Sequence, residues 1–155
     1  ADVAEGLREW FDLHDGADWN QGSGDILPFC LLLGMEDSIG QSQLIRQIWT
    51  EQEDPSHISA AMAQPAGEIA ATWLPAYVMI GDDTCGGGLF IDLRDGERKG
   101  CIRFWDKTEA DDGAIETSSL TELISGVTDS IRNRTPICQH VATVVDGRIN
   151  WEFDE

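Results

Sequence analysis

The sequence has few basic residues and no long apolar run. Its 155 residues include 10 Lys and Arg against 29 Asp and Glu, which gives a formal net charge of −19. A charge of this sign repels phosphate and anionic lipid, so it argues against direct nucleic-acid or membrane binding. No apolar run approaches the roughly 18–20 residues that a membrane span needs. The N-terminus also lacks the basic start of a signal peptide, so we expect a cytoplasmic protein.

Paired metal ligands are also missing. The three histidines are scattered, and no two cysteines form a C-x-x-C pair; the cysteines are Cys30, Cys85, Cys101 and Cys138. Zinc sites usually show paired ligands in sequence. We therefore expect no metal and no cofactor, with reduced thiols and with Cys85 exposed in a glycine-rich loop.

Motifs of nucleophilic and phosphate chemistry are absent as well. There is no G-x-S-x-G and no P-loop, and the glycines at 86–88 follow Asp82 and Asp83, which repel phosphate. An EF-hand-like start at Asp18 fails because Phe29 stands where a bidentate Glu is needed. We expect no enzymatic activity, although a hydrolase built from the acidic loops stays open as an alternative.

What is present indicates one globular domain of the α+β class. Hydrophobic residues make up 41% of the chain, and the length suits a single domain. Helical periodicity comes first, then alternating strand patterns, one helix and a hairpin, which is typical of α+β folds with a mainly antiparallel sheet. We therefore expect N-terminal helices and one late helix packed on that sheet.

The periodicities locate the elements. Helices are predicted over 2–14, from Glu36 to about 52, and over 120–132, where Ser119 and Glu122 form a capping box. The second helix has a predicted buried stripe of Leu44, Ile45, Ile48 and Trp49. Short apolar or alternating runs predict strands at 26–33, 72–80, 89–93 and 101–106.

The C-terminal segment predicts a hairpin whose Asp146-Gly147 supplies a type I′ turn. We expect 72–106 and 140–153 to form one sheet. The late helix should then pack on the apolar face of that sheet through Leu123, Ile124 and Val127.

The central segment carries a family resemblance. Four short motifs follow one another: Trp73-Leu-Pro75, Gly81-Asp82-Asp83, a strand ending in Asp92-Leu93, and a Gly100-led strand ending in Phe104-Trp105-Asp106. Together with Leu13-His14-Asp15-Gly16 upstream and the helix at 119–131, they resemble the SUKH superfamily. That group contains yeast cell-wall-assembly regulators of the Smi–Knr type and many bacterial toxin-immunity proteins.

The resemblance implies a protein-binding function. In bacteria it implies immunity, in which the protein binds a toxin domain, often a nuclease; the yeast relatives imply a regulatory scaffold of wall synthesis instead. The family usually has one more helix before the first helix here, so we expect 1–155 to be one SUKH-like domain that lacks its extreme N-terminal helix. For Trp73, Gly88, Leu93 and Phe104 we expect a structural role in the sheet.

Charge and loops suggest a partner surface. Two acidic loops adjoin the family-like strands, and a third contains a tryptophan between acids, a residue type common in binding hot spots. We predict that the partner, a basic toxin domain, contacts exposed side chains in these loops: Trp19, Asp82, Asp83, Asp111 and Asp112. Solvated loops on a halophilic or high-GC background explain the acidity equally well.

Overall fold

The computed structural model describes residues 2–17 and 26–155. Within these residues the chain forms four helices and six strands. The helices are α1 (Val3–Leu13), α2 (Met35–Thr50), α3 (Pro55–Met62) and α4 (Leu120–Asn133). The strands are β1 (Leu31–Leu32), β2 (Tyr77–Asp82), β3 (Gly88–Asp92), β4 (Ile102–Trp105), β5 (His140–Val145) and β6 (Arg148–Phe153). The expected α+β class is confirmed.

Side chains close to the predicted positions start the helices. Asp2 accepts the Ala4 N–H at 3.3 Å and begins α1. Ser119 accepts the Glu122 N–H at 3.1 Å and begins α4. The Glu122 carboxylate accepts the Ser118 N–H at 2.6 Å, so the reciprocal half of the capping box falls one residue earlier than in the usual motif. The boundaries predicted for both helices are confirmed to within one residue.

The main sheet is antiparallel in the order β1-β2-β3-β4. Leu89 and Ile91 of β3 belong to one core cluster and Phe90 to another, so the strand is buried on both faces. Residues that alternate along a strand point to opposite faces, and here each face is covered by helices. The predicted alternation of β3 is confirmed.

Two cores lie on the two faces of this sheet. The first core joins the sheet to α1 and α4, through Trp10 and Leu123 among others. The second joins it to α2 and α3, and Trp73 and Trp105 stack edge-to-face at its centre with their ring centroids 5.1 Å apart. Both tryptophans are almost fully buried, so the structural role predicted for Trp73 is confirmed.

The prediction that 72–106 and 140–153 form one sheet is wrong. Strands β5 and β6 form a separate two-stranded sheet. The outer edge of β4 is already occupied, because the Ile102 N–H donates to Thr117 O at 2.8 Å and Ile102 O accepts the Glu116 N–H at 2.9 Å. Because the groups of Ile102 are already bonded, this part of the edge offers no free donor or acceptor to a further strand.

The hairpin instead attaches to α4. The Ala142 N–H donates to the Ser130 side chain at 2.8 Å. The turn itself is as predicted, since Asp146 and Gly147 have φ of 51° and 76°. Leu123 and Val127 of α4 are buried, but Ile124 is 46% exposed, so its predicted contact is wrong.

Helix α2 buries a narrower face than its apolar pattern predicts. Ile45 is buried and Trp49 half-buried, whereas Leu44 and Ile48 are 53% and 47% exposed, which corrects the predicted stripe. Part of the contact with β2 is polar, since the Ser38 hydroxyl donates to Met79 O at 2.5 Å. The apolar run at 26–33 likewise yields only the short β1.

All four thiols are unpaired, and Cys85 is exposed, as predicted. The other three are buried. Burial raises the pKa of the Cys101 thiol to about 11 and that of Cys138 to about 12. These buried thiols are therefore protonated at neutral pH.

Candidate functional site

The β2–β3 turn carries Asp82 and Asp83 to one end of the main sheet. Asp82 is the last residue of β2, paired with Leu31 on one side and with Gly88 on the other. Both carboxylates are half-buried. The turn therefore projects two adjacent acids from the end of a central strand.

Main-chain hydrogen bonds hold both carboxylates in place. One Asp83 oxygen, Oδ1, accepts the N–H groups of Cys85 at 2.7 Å and of Gly87 at 2.9 Å. Asp82 Oδ1 accepts the Thr84 N–H at 2.7 Å, and its Oδ2 receives the Gln41 amide at 3.4 Å. Such bonds are the usual way in which Asp stabilises a tight turn. These bonds fix the orientation of both carboxylates in the unbound protein.

A second acidic turn lies beside the first. Trp105 pairs with Gly88, and Asp106 follows Trp105 directly. Asp106 Oδ1 accepts the N–H groups of Thr108 at 2.6 Å and of Glu109 at 3.0 Å. The Thr108 hydroxyl and these two N–H groups hold the pKa of Asp106 below its ordinary value. This carboxylate is therefore ionised well below neutral pH.

The two turns are in contact. A Cβ added at Gly87 would overlap the Trp105 carbonyl oxygen, so only glycine allows the strands to approach this closely here. The Lys107 stem lies over Gly86, where an added Cβ would be 3.2 Å from Lys107 Cδ. We call Asp82, Asp83 and Asp106 together the acidic sheet end.

Asp111 does not belong to this surface. It is 5% exposed and pairs with the Arg103 guanidinium. It also accepts the N–H groups of Gly113 at 2.9 Å and of Ala70 at 3.3 Å. The expectation that its side chain is exposed is wrong, because a buried cation eight residues earlier draws it into the core. Burial raises the pKa of Asp111, and the Gly113 N–H and Arg103 partly offset that rise.

Asp111 is one corner of a buried cluster of four charges: Asp92, Arg94, Arg103 and Asp111. The Asp92–Arg94 pair has an N–O distance of 2.7 Å, and both side chains are fully buried. Arg94 and Arg103 both donate to the Glu68 carbonyl, at 2.6 and 3.0 Å. The cluster thus ties the segment before β2 to the sheet. Because it is neutral as a whole, the surface carries the full net charge of the protein.

Two predicted partner residues remain, Asp112 and Trp19. Asp112 is exposed, and its Oδ1 accepts the Ala114 N–H at 2.8 Å. Trp19 lies outside the described residues. The structure thus brings Asp82 and Asp83 together with Asp106 and places Asp111 in the core.

The sequence placed Asp106 in a family-like motif and in an acidic loop, but Asp106 was not among the predicted partner residues, and the buried arginines were not predicted at all. The spacing of Asp106 and Thr108 is a local signal of the turn, because Asp often bonds the main chain two residues later. No local signal marks Arg94 and Arg103 as buried, since long charged side chains are almost never fully buried unless they are paired.

The arrangement presents negative charge to a cationic group. Among residues 2–17 and 26–155, no three His, Cys, Asp or Glu side chains are grouped so that they could hold a metal ion. No helix in the part of the chain that the structure describes is long and apolar enough to cross a membrane.

A comparison with protein-family models identifies the family of the chain. The model of the SMI1 / KNR4 family (SUKH-1) matches residues 3–126, which is most of the chain. The chain belongs to the SUKH-1 family. The matched part contains the acidic sheet end and the buried charge cluster, while the β5–β6 hairpin of this SUKH-1 chain follows it. No curated protein and no solved structure matches the chain.

Proposed function

We propose that this SUKH-1 chain is a non-enzymatic cytoplasmic immunity protein that neutralises a toxin domain by binding it. The observation that carries the proposal is the acidic sheet end. There, Asp82, Asp83 and Asp106 are held side by side by bonds from their own turns.

Fixed carboxylates suit a basic partner. Charges that are already positioned lose little side-chain entropy on binding, and a protein of −19 attracts a cationic surface over long distances. A nuclease, which grips phosphate, presents such a surface. Electrostatic complementarity of this kind raises the association rate more than it raises the affinity itself.

The test first identifies a candidate toxin domain from the genes beside this one, and then measures the activity of that toxin and its association rate with this chain. The variant D82N/D83N/D106N keeps an oxygen acceptor at every turn. The matched control E5Q/D95N/E97Q removes three exposed charges, two of them at the opposite end of the sheet.

We expect the intact chain to abolish the toxin activity. At about 0.01 M salt the first variant should associate about tenfold more slowly, and the control much less so. At about 1 M salt the three proteins should converge, because the Debye length falls from about 30 to about 3 Å. Equal rates for both variants at low salt would contradict this binding surface. A chain that leaves the toxin active but binds wall-synthesis proteins would favour the regulatory alternative.

A further inference from the structure

A row of aromatic rings lies at the surface where β4, the turn before β1 and the hairpin meet. The ring of Phe29 is 5.4 Å from that of Phe104 and 4.5 Å from that of His140, measured between centroids. The His140 ring is in turn 5.5 Å from that of Phe153. The row thus joins three segments that are far apart in sequence.

Tight turns hold two of these rings in place. Phe29 has a φ of 48°, in the turn closed by the bridge between Leu27 and Cys30. His140 follows Cys138 and Gln139, whose φ angles are also positive, at 47° and 60°. Non-glycine residues adopt this conformation at a cost, so the surrounding contacts must enforce it.

The row is accessible. Phe153 is 63% exposed, the most exposed large aromatic side chain among the described residues. Phe29, Phe104 and His140 are half-buried, and both phenylalanines pack with one side against the first core. A ligand would therefore contact the exposed sides of Phe29 and Phe104, whose other sides are held by the core.

Acidic groups lie near two parts of the row. Glu116 is half-buried. It interacts electrostatically with Cys138 and with His140 of the row, and Asp112 is close enough to interact with Glu116 in turn. The charges of Asp82 and Asp83 act on Cys30, the residue after Phe29.

The hairpin adds further charges at the Phe153 end of the row. Asp154 and Glu155 follow Phe153 and are exposed. The Arg134 guanidinium is 3.6 Å from Glu152, so this nearby cation has a carboxylate partner of its own.

We propose that this aromatic row is a docking site for an arginine side chain of a basic protein partner. The inference rests on the proposed function, because it identifies what the partner presents. A guanidinium is flat and weakly hydrated, so it stacks on phenylalanine rings better than an ammonium group does. The surrounding carboxylates favour a cation and disfavour the phosphates of a nucleic acid, whose bases would otherwise stack on such rings.

The experiment titrates the isotope-labelled protein with two short peptides, one with arginine and glycine in alternation and the other with lysine in place of arginine. The readout is the shift of main-chain and aromatic ring resonances at low salt. We expect the arginine peptide to shift Phe153 and His140 most and to bind about two- to fivefold more tightly than the lysine peptide.

The variant F153A should remove that preference, and F153Y should keep it. V144A is the matched control on the same hairpin, since Val144 is 55% exposed and does not belong to the row. The map of shifts on the unmodified protein decides the location even if a variant folds poorly.

Equal binding of the two peptides, or shifts confined to the acidic sheet end, would overturn the inference and leave the basic-partner function standing. Binding of neither peptide would also overturn the inference, while the toxin assay decides the proposed function separately.

Discussion

Asp111 and Asp112 are neighbours that the structure assigns to opposite roles, and substituting each by Asn separates them. Asp111 lies in the core, where its two oxygens serve Arg103, Gly113 and Ala70. Asp112 is exposed. The changes D111N and D112N remove the same charge, the first from a buried ion pair and the second from an exposed turn.

The loss expected for D111N follows from the contacts of Asp111. Removing one partner of a buried ion pair costs about 3–5 kcal/mol. Asn keeps one acceptor oxygen but turns an amide NH2 toward groups that are themselves donors, so part of the hydrogen bonding is lost as well. We expect D111N to lower the free energy of unfolding by about 2–4 kcal/mol. D112N should change it by no more than about 0.5 kcal/mol.

Urea unfolding followed by tryptophan fluorescence measures both variants. With a slope of about 1–3 kcal/mol per molar urea, the D111N midpoint should fall by about 0.7–4 M, and the D112N midpoint should stay near that of the unmodified protein. If the two variants unfolded at the same urea concentration, Asp111 would not be a buried anchor. The buried charge cluster would then not stabilise the fold.

Three further predictions concern reactivity and packing. At pH 8 a thiol reagent should modify only Cys85 rapidly in the folded protein and all four cysteines in urea, because the other thiols are buried with raised pKa values; rapid modification of a second thiol in the folded state would contradict this. L123A should cost about 2–5 kcal/mol and I124A less than about 1, because Leu123 is fully buried and Ile124 is not; similar thermal midpoints would show that α4 packs differently. G88A should unfold at a lower temperature, since the φ of Gly88 is 150° and an added Cβ would overlap the Gly81 carbonyl. G6A should instead raise the free energy of unfolding by about 0.5–1 kcal/mol, because Gly6 lies within α1 and nothing is within 4 Å of an added Cβ. The opposite order of stabilities would refute the turn geometry.

Local patterns predicted the elements well because the forces that form them are local. The cap of α4 is specified by Ser119 and Glu122, three residues apart. The turn of the hairpin is specified by Asp146 and Gly147 alone. In each case the residues that determine the structure are neighbours in sequence, so their spacing carries the prediction.

Predictions that depended on residues distant in sequence were more often wrong. The hairpin lies outside the main sheet, and part of the β4 edge that it was predicted to join is bonded to Glu116 and Thr117 instead. The burial of Asp111 depends on Arg103, and the sequence gives no sign that this arginine is buried. Of the predicted partner surface, Asp82 and Asp83 lie together in the structure, and their part in binding remains a prediction.

The most direct test of the acidic sheet end as a binding surface is amide hydrogen exchange of this chain, free and in complex with the basic toxin domain proposed as its partner. We expect binding to slow exchange in the two acidic turns, at residues 82–88 and 106–110. Slower exchange confined to α2 and α3, with both turns unchanged, would contradict the claim that the acidic sheet end receives the partner.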